Sequence, residues 1–222
     1  MHPFKRNDGF TLIEVIIAVA LVAIMAVAIA PPLVQNIKQG KVTRAQSDVQ
    51  AIGTAILNFY KDVGEWPFTS PTGGTLNRLV GNSSLGGGNN GIPAGTSAVT
   101  GSNRWRNYGQ AGTLTDYLIR NMTATNPTLY TASQNPLSVP GWNGPYLSEV
   151  KLDPWGSPYL VNVRYGRPAL SGTGTENFDM HNILIVSAGP NKTFETSFDD
   201  GVFDEQAGGD DIAFIVQRAS RF

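Results

Sequence analysis

The run FTLIEVIIAVALVAIMAVAIAPPLV, from Phe10 to Val34, contains only Thr11 and Glu14 as polar side chains. A stretch of this kind leaves a chain few ways to fold. As a helix, the 21 residues from Phe10 to Ala30 are about 31 Å long at roughly 1.5 Å per residue. That length matches a bilayer hydrocarbon core of roughly 30 Å. Ahead of it lies a short polar leader, MHPFKRNDG, with Lys5 and Arg6. Charge counts leave the orientation open, because Lys38, Lys41 and Arg44 follow the span.

Glu14 is the anomaly in this run. A carboxylate in the middle of a membrane helix costs about 2.5–3.5 kcal/mol on insertion scales. Glu14 is only four residues from Phe10, roughly 6 Å along the axis, so it sits near one interface and costs less. Two readings follow: a charge tolerated near a helix end, or a carboxylate kept for a partner. A cut between Gly9 and Phe10 would supply that partner, because the new α-amino group of Phe10 would lie about one helical turn away. The amine of a neighbouring chain would serve equally well in a low-dielectric setting.

The string Gly9-Phe10-Thr11-Leu12-Ile13-Glu14-Val15 resembles the type IV prepilin signature. The resemblance implies that prepilin peptidase cleaves after Gly9, that Phe10 is N-methylated, and that the apolar helices pack into a filament core. Glu14 would then set the register between subunits. Pro31 stands where this family often carries a helix-loosening proline, and Pro32 beside it is extra and could deepen the break. The rival is an ordinary signal peptide cut at Ala28-Ile29-Ala30, which would release a secreted calcium-binding module. Against it stand Pro31 directly after the cut, Glu14 inside the apolar region, and an apolar run longer than the usual 7–15 residues.

Composition removes most catalytic classes. There is no cysteine, hence no disulfide, thiolate metal site or Cys nucleophile. Only His2 and His181 are available for imidazole chemistry. His181 near Asp179 and Ser187 suggests a triad on paper, yet no G-x-S-x-G elbow is present, and a non-enzyme is expected. Sixteen Lys+Arg against seventeen Asp+Glu give a net charge of −1, so no basic field exists to hold nucleic acid.

Beyond the prolines, Val42, Ala45, Val49, Ile52, Ile56, Phe59 and Val63 recur at spacings of three and four, one stripe of an amphipathic helix. A coiled coil has the same spacing, but a stem packing on its own head domain suits a chain with a membrane span just before it. Gly64 ends the pattern and Pro67 follows. One helix from Phe10 to about Val63, bent near Pro31–Pro32, is expected.

From Gly64 the periodicity fails. Leu76, Leu79 and Val80 suggest a short helix over Thr75–Val80, and a second is expected at Leu114–Met122. Gly81 to Asn103 holds seven Gly, four Ser, four Asn and no charge. Its Gly86–Gly91 string fits G-x-G-x-x-G by letters only, without the flanking strand and helix that a dinucleotide site needs. Residues 82–140 as a whole are expected to form an exposed, loop-rich insertion.

Order returns at Trp142. The elements Gly144-Pro145-Tyr146-Leu147 and Asp153-Pro154-Trp155-Gly156-Ser157-Pro158-Tyr159 resemble the head domain of the type II secretion major pseudopilin, where they lead into a small antiparallel sheet. Asp153–Gly156 has the Pro and Gly of a tight turn. Strands are expected at Tyr159–Arg164, Asn182–Ser187 and Ile212–Gln217.

Between the last two strands, Glu195 to Asp211 carries seven carboxylates and no Lys or Arg. Carboxylates gathered in one loop repel one another unless a cation bridges them, and calcium takes six to eight hard oxygens. The alternative is a solvated acidic loop without an ion. The segment resembles the calcium loop of major pseudopilins. By that resemblance Asp210 and Asp211 match its paired aspartates, Asn191 stands where an Asp is usual, and the carbonyls of Ser187 or Ala188 are further ligands for one ion. Asp199, Asp200 and Asp204 are left as substitutes.

The expected fold is thus α+β: a long N-terminal helix, half transmembrane and half amphipathic, packed on a small antiparallel sheet with a long loop insertion. The chain divides into a leader (1–9), a transmembrane or filament-core helix (10–34), a stem (35–63) and a periplasmic head (64–222) holding the insertion (82–140) and the acidic loop (187–212). The resemblance implies a single-pass inner-membrane subunit that polymerises with itself into a pseudopilus. Its partners would be prepilin peptidase, minor pseudopilins and the inner-membrane assembly platform. A surface type IV pilin is the alternative.

Overall fold

In the computed structural model, the described residues are 9–67, 76–81, 91–95, 104–107, 109–121, 129–130, 141–166, 182–199 and 207–217. Helix α1 runs from Leu12 to Val63 and contains both Pro31 and Pro32. Each proline lacks the N–H that would reach back four residues, so the carbonyls of Val27 and Ala28 lose their helical donors. The chain falls into two compact units, Met1–Lys41 and Val42–Phe222.

In the first unit the apolar side chains of the helix are exposed throughout, including Ile16, Val19, Val22, Met25 and Ile29. An uncovered apolar surface of this extent marks a segment that lipid or another protein must cover. The segment is long and apolar enough to cross a membrane.

The second unit begins at Val42. Here the stripe read from the sequence faces inward: Ala45, Val49, Ile52, Ile56 and Phe59 are buried, while Val42 and Val63 are partly so. Each of the larger side chains contributes about 1.5–3 kcal/mol by leaving water. Gly53 lies where the helix packs tightly on the sheet. A β-carbon there would sit 2.6 Å from Phe214 Cδ1 and 3.4 Å from Ile185 Cδ1.

The sheet has five strands in the order β2-β1-β3-β4-β5: β1 (Arg78–Val80), β2 (Ala111–Thr113), β3 (Leu160–Asn162), β4 (Ile183–Ser187) and β5 (Ile212–Gln217). It is mixed, whereas an antiparallel sheet was expected. β1 pairs with β2 in parallel, and the other pairings are antiparallel. A parallel pair needs a crossover of a dozen residues or more, and residues 81–110 supply it. The strands expected in the last third of the chain lie where the alternation and the apolar run placed them.

Two expectations fail in the middle of the chain. Residues 78–80 are a strand, where a helix over Thr75–Val80 was expected (Thr75 lies outside the described residues). The spacing of Leu76, Leu79 and Val80 mimics a helix. However, one turn has too few hydrogen bonds to offset nucleation, and pairing on both sides wins. Nor are the described residues of 82–140 an exposed insertion. They supply β2 and the buried Ile92, Trp105, Leu114, Tyr117, Leu118 and Tyr130. Leu114 and Thr115 are helical and lead into a single π-helical turn, Asp116–Arg120. Asn121 ends that turn in the left-handed region at φ 54°.

Candidate functional site

Two places carry chemistry, the start of α1 and the loop between β4 and β5. At the first, the Thr11 N–H and hydroxyl both donate to Glu14 Oε2 at 2.8 Å, and the Glu14 N–H donates to Thr11 Oγ1 at 3.4 Å. This is a capping box, in which Thr11 caps the helix and Glu14 three residues on answers it. The T-x-x-E spelling is visible in the sequence, although neither reading of Glu14, as a tolerated charge or as a partner for an amine, used it. Thr11 lies beyond the Gly9–Phe10 bond, so the box would outlast a cut there. Phe10 is 90% exposed.

The second place is built on the end of β4. Asp153 is buried under the Asp153–Gly156 turn. Its Oδ1 accepts the Trp155 and Ser157 N–H groups at 3.0 and 2.7 Å. Its Oδ2 accepts the Ser187 hydroxyl at 2.7 Å. The expected tight turn is present, closed by the Gly156 N–H on the Asp153 carbonyl at 3.0 Å with Gly156 at φ 91°. It anchors the residue from which the acidic loop departs.

Beyond Ser187 the chain reverses through Gly189, at φ 61°. A β-carbon on Gly189 would collide with the Asp210 carbonyl. Glu195, Asp210 and Asp211 then come together, with one carboxylate oxygen from each within 4.8 Å of the others. Asp211 is 7% exposed. Its Oδ2 accepts the Glu195 and Thr196 N–H groups at 2.8 and 2.6 Å. Its Oδ1 and the Asp210 Oδ1 are buried and have no hydrogen-bond partner among the described residues. Burial raises the Asp211 carboxyl above its ordinary pKa and the Glu195 charge adds to this, while the two backbone donors act against it.

The structure therefore brings Asp210 and Asp211 together as the sequence suggested, and adds Glu195. Asn191 adjoins them as a donor: its N–H reaches Asp210 Oδ2 at 3.1 Å, and its side-chain amide reaches Glu195 Oε1 at 2.8 Å. Its own Oδ1 is taken by the Thr193 N–H at 2.7 Å. The Ser187 side chain turns away to Asp153, and Ala188 is fully buried. Asp199 is not a substitute ligand. It pairs with the Arg104 guanidinium and accepts the Tyr165 hydroxyl. Asp200, Asp204, Asp179 and His181 lie outside the described residues.

The donor set suits a hard cation. Like charges within 4.8 Å repel by about 3 kcal/mol per pair at an effective dielectric near 20. Two buried carboxylate oxygens without donors sharpen that cost. Three carboxylates would supply part of a six- to eight-oxygen shell.

Comparison with known proteins bears directly on the first place. The prokaryotic N-terminal methylation motif matches residues 4–30. Over 179 residues the chain is 23% identical to the type II secretion system core protein G of Pseudomonas aeruginosa, spanning 81% of this chain and 84% of that protein. The chain thus carries a prepilin-type N-terminal motif and is similar over most of its length to a type II secretion core protein G. A second core protein G, from Aeromonas hydrophila, is 31% identical over 65 residues, 29% of this chain and 46% of that one. No solved structure matches. The pilin-like motif covers the Thr11–Glu14 box, and the Pseudomonas similarity is long enough to take in much of the head.

Proposed function

We propose that this chain is the structural subunit of a pseudopilus, assembled through its N-terminal helix in a type II secretion system to support protein export across the outer membrane. The observation that carries it is the 23% identity with core protein G over 81% of this chain, joined to a helix whose apolar surface is uncovered. Prepilin peptidase cuts between Gly9 and Phe10 and methylates the new amine. The 10–34 segment holds the subunit in the inner membrane with the head in the periplasm, and then becomes filament core. Glu14 pairs with the Phe10 amine of its own or a neighbouring chain. Minor pseudopilins and the inner-membrane platform are the other partners. The role is structural and not enzymatic.

One calcium ion belongs to the same proposal. Glu195, Asp210 and Asp211 would hold it, with Asn191 and the Ser187–Ala188 backbone beside them. Bound there, it would neutralise the carboxylates and lock the loop against β5.

Imaging of filaments at native expression tests the subtype. Short periplasmic fibres, and export lost when the gene is deleted, are the expected result. Long surface fibres with export intact would overturn it in favour of a type IV pilus. For calcium, full-length chain in detergent is melted with excess ion or excess chelator. An ion at about 100 times its dissociation constant stabilises by about 2.7 kcal/mol, or about 5–10 °C for a domain of this size. An unchanged melt would remove the metal.

A further inference from the structure

Of the three clustered carboxylates, two have an obvious foundation. Asp210 and Asp211 directly precede β5, which is paired along its length with β4. Glu195 belongs to no strand of the sheet. We infer that Ala94 and Trp105 together act as a brace that sets the Glu195 carboxylate in the cluster.

The brace grips the chain on either side of Glu195. On one side the Phe194 N–H donates to the Ala94 carbonyl at 2.9 Å, within an isolated parallel bridge between Gly95 and Phe194. On the other, the Trp105 indole N–H donates to the Thr196 carbonyl at 2.9 Å. Trp105 is fully buried, its ring 4.8 Å from that of Phe198 and 5.9 Å from that of Phe194, centre to centre. Further along, the Arg104 guanidinium pairs with Asp199.

Burial alternates through this stretch. Phe194, Thr196 and Phe198 are buried, while Glu195, Ser197 and Asp199 are half-buried. Phe194 and Phe198 pack beside the Trp105 ring, the Thr196 hydroxyl accepts the Gly208 N–H at 3.0 Å, and Glu195 reaches Asp210 and Asp211. There it receives the Asp210 N–H on Oε2 at 3.1 Å. Trp105 is a positioning residue and not a ligand.

The part of this inference that concerns metal affinity rests on the calcium proposal; the placement of Glu195 does not. The test uses full-length chain in detergent and the variant Trp105→Phe, which keeps a buried ring and removes the indole donor. Two quantities are read: calcium affinity by calorimetric titration with calcium chloride, and amide hydrogen exchange at Phe194 and Thr196. We expect affinity about fivefold weaker, the factor that goes with one lost hydrogen bond, and faster exchange at both amides. Trp142→Phe, which removes an indole bond to the Tyr117 carbonyl, should change neither. Unchanged exchange in Trp105→Phe overturns the brace whatever the affinity does. Faster exchange with unchanged affinity overturns its link to the metal. If the parent chain binds no calcium, the metal proposal falls and exchange alone decides the brace. Should Trp105→Phe fail to fold, Arg104→Gln, which releases the Asp199 end of the same segment, is read in the same two ways.

Discussion

Replacing Asp153 by alanine should cost about 4 kcal/mol, whereas replacing it by asparagine should cost about 1. The carboxylate is 4% exposed and accepts three bonds, from the Trp155 and Ser157 N–H groups and the Ser187 hydroxyl. Hydrogen bonds to a charged group are worth roughly 1.5–3 kcal/mol each. Alanine strands the Ser157 N–H and the Ser187 hydroxyl where both residues are buried, at about 1.5 kcal/mol apiece, and the half-buried Trp155 N–H at about 1. Asparagine can keep all three contacts: its oxygen accepts both N–H groups and its amide donates to the Ser187 oxygen. The charge enhancement is lost, and the Ser187 hydroxyl changes from donor to acceptor in that contact. At about 2–4 °C per kcal/mol for a domain of this size, the alanine melt should fall by about 8–16 °C and the asparagine melt by about 2–4 °C. Near-ultraviolet circular dichroism of full-length chain in detergent, at fixed calcium, reads the difference. Equal shifts for the two variants would refute the account, because the turn would then depend on the charge or on neither.

Three further substitutions probe other joints. Gly209→Ala places a side chain at φ 52° and drives its β-carbon into the Glu195 carboxylate. It should cost about 1–2 kcal/mol and weaken calcium binding in titration, and wild-type affinity would contradict the cluster. Gly53→Val should destabilise the head by about 2–3 kcal/mol, since the branched side chain overlaps Phe214 across the helix–sheet contact; a melt within 1 °C of the parent would refute that close approach. Glu14→Ala removes the capping box. It should leave cleavage largely intact while impairing filament assembly, and normal fibres would refute the register role.

Local patterns made much of this molecule legible in its sequence. The apolar span, the stripe from Val42 to Val63, the Asp153–Gly156 turn and strands β3 to β5 each announce themselves within one contiguous stretch of sequence. What stayed hidden depends on partners far along the chain. β1 is three residues between two strands, with all three side chains buried, so it shows neither alternation nor a usable period. Nothing near Trp105 in the sequence marks its role, because its partner, the Thr196 carbonyl, is 91 residues away. The acidic site divides the same way. Asp210 and Asp211 were visible as a pair, but Glu195 joins them only through long-range bonds. Asp199, equally acidic on paper, is drawn off by Arg104 and Tyr165.

The central claim is that Phe10 becomes the first residue of a membrane-held filament subunit. Intact mass and amino-terminal sequencing of the protein taken from its own membranes tests it most directly. The account predicts a chain that begins with N-methylated Phe10. A released, soluble chain beginning at Pro31, or a membrane-held chain with the Gly9–Phe10 bond uncut, would contradict it.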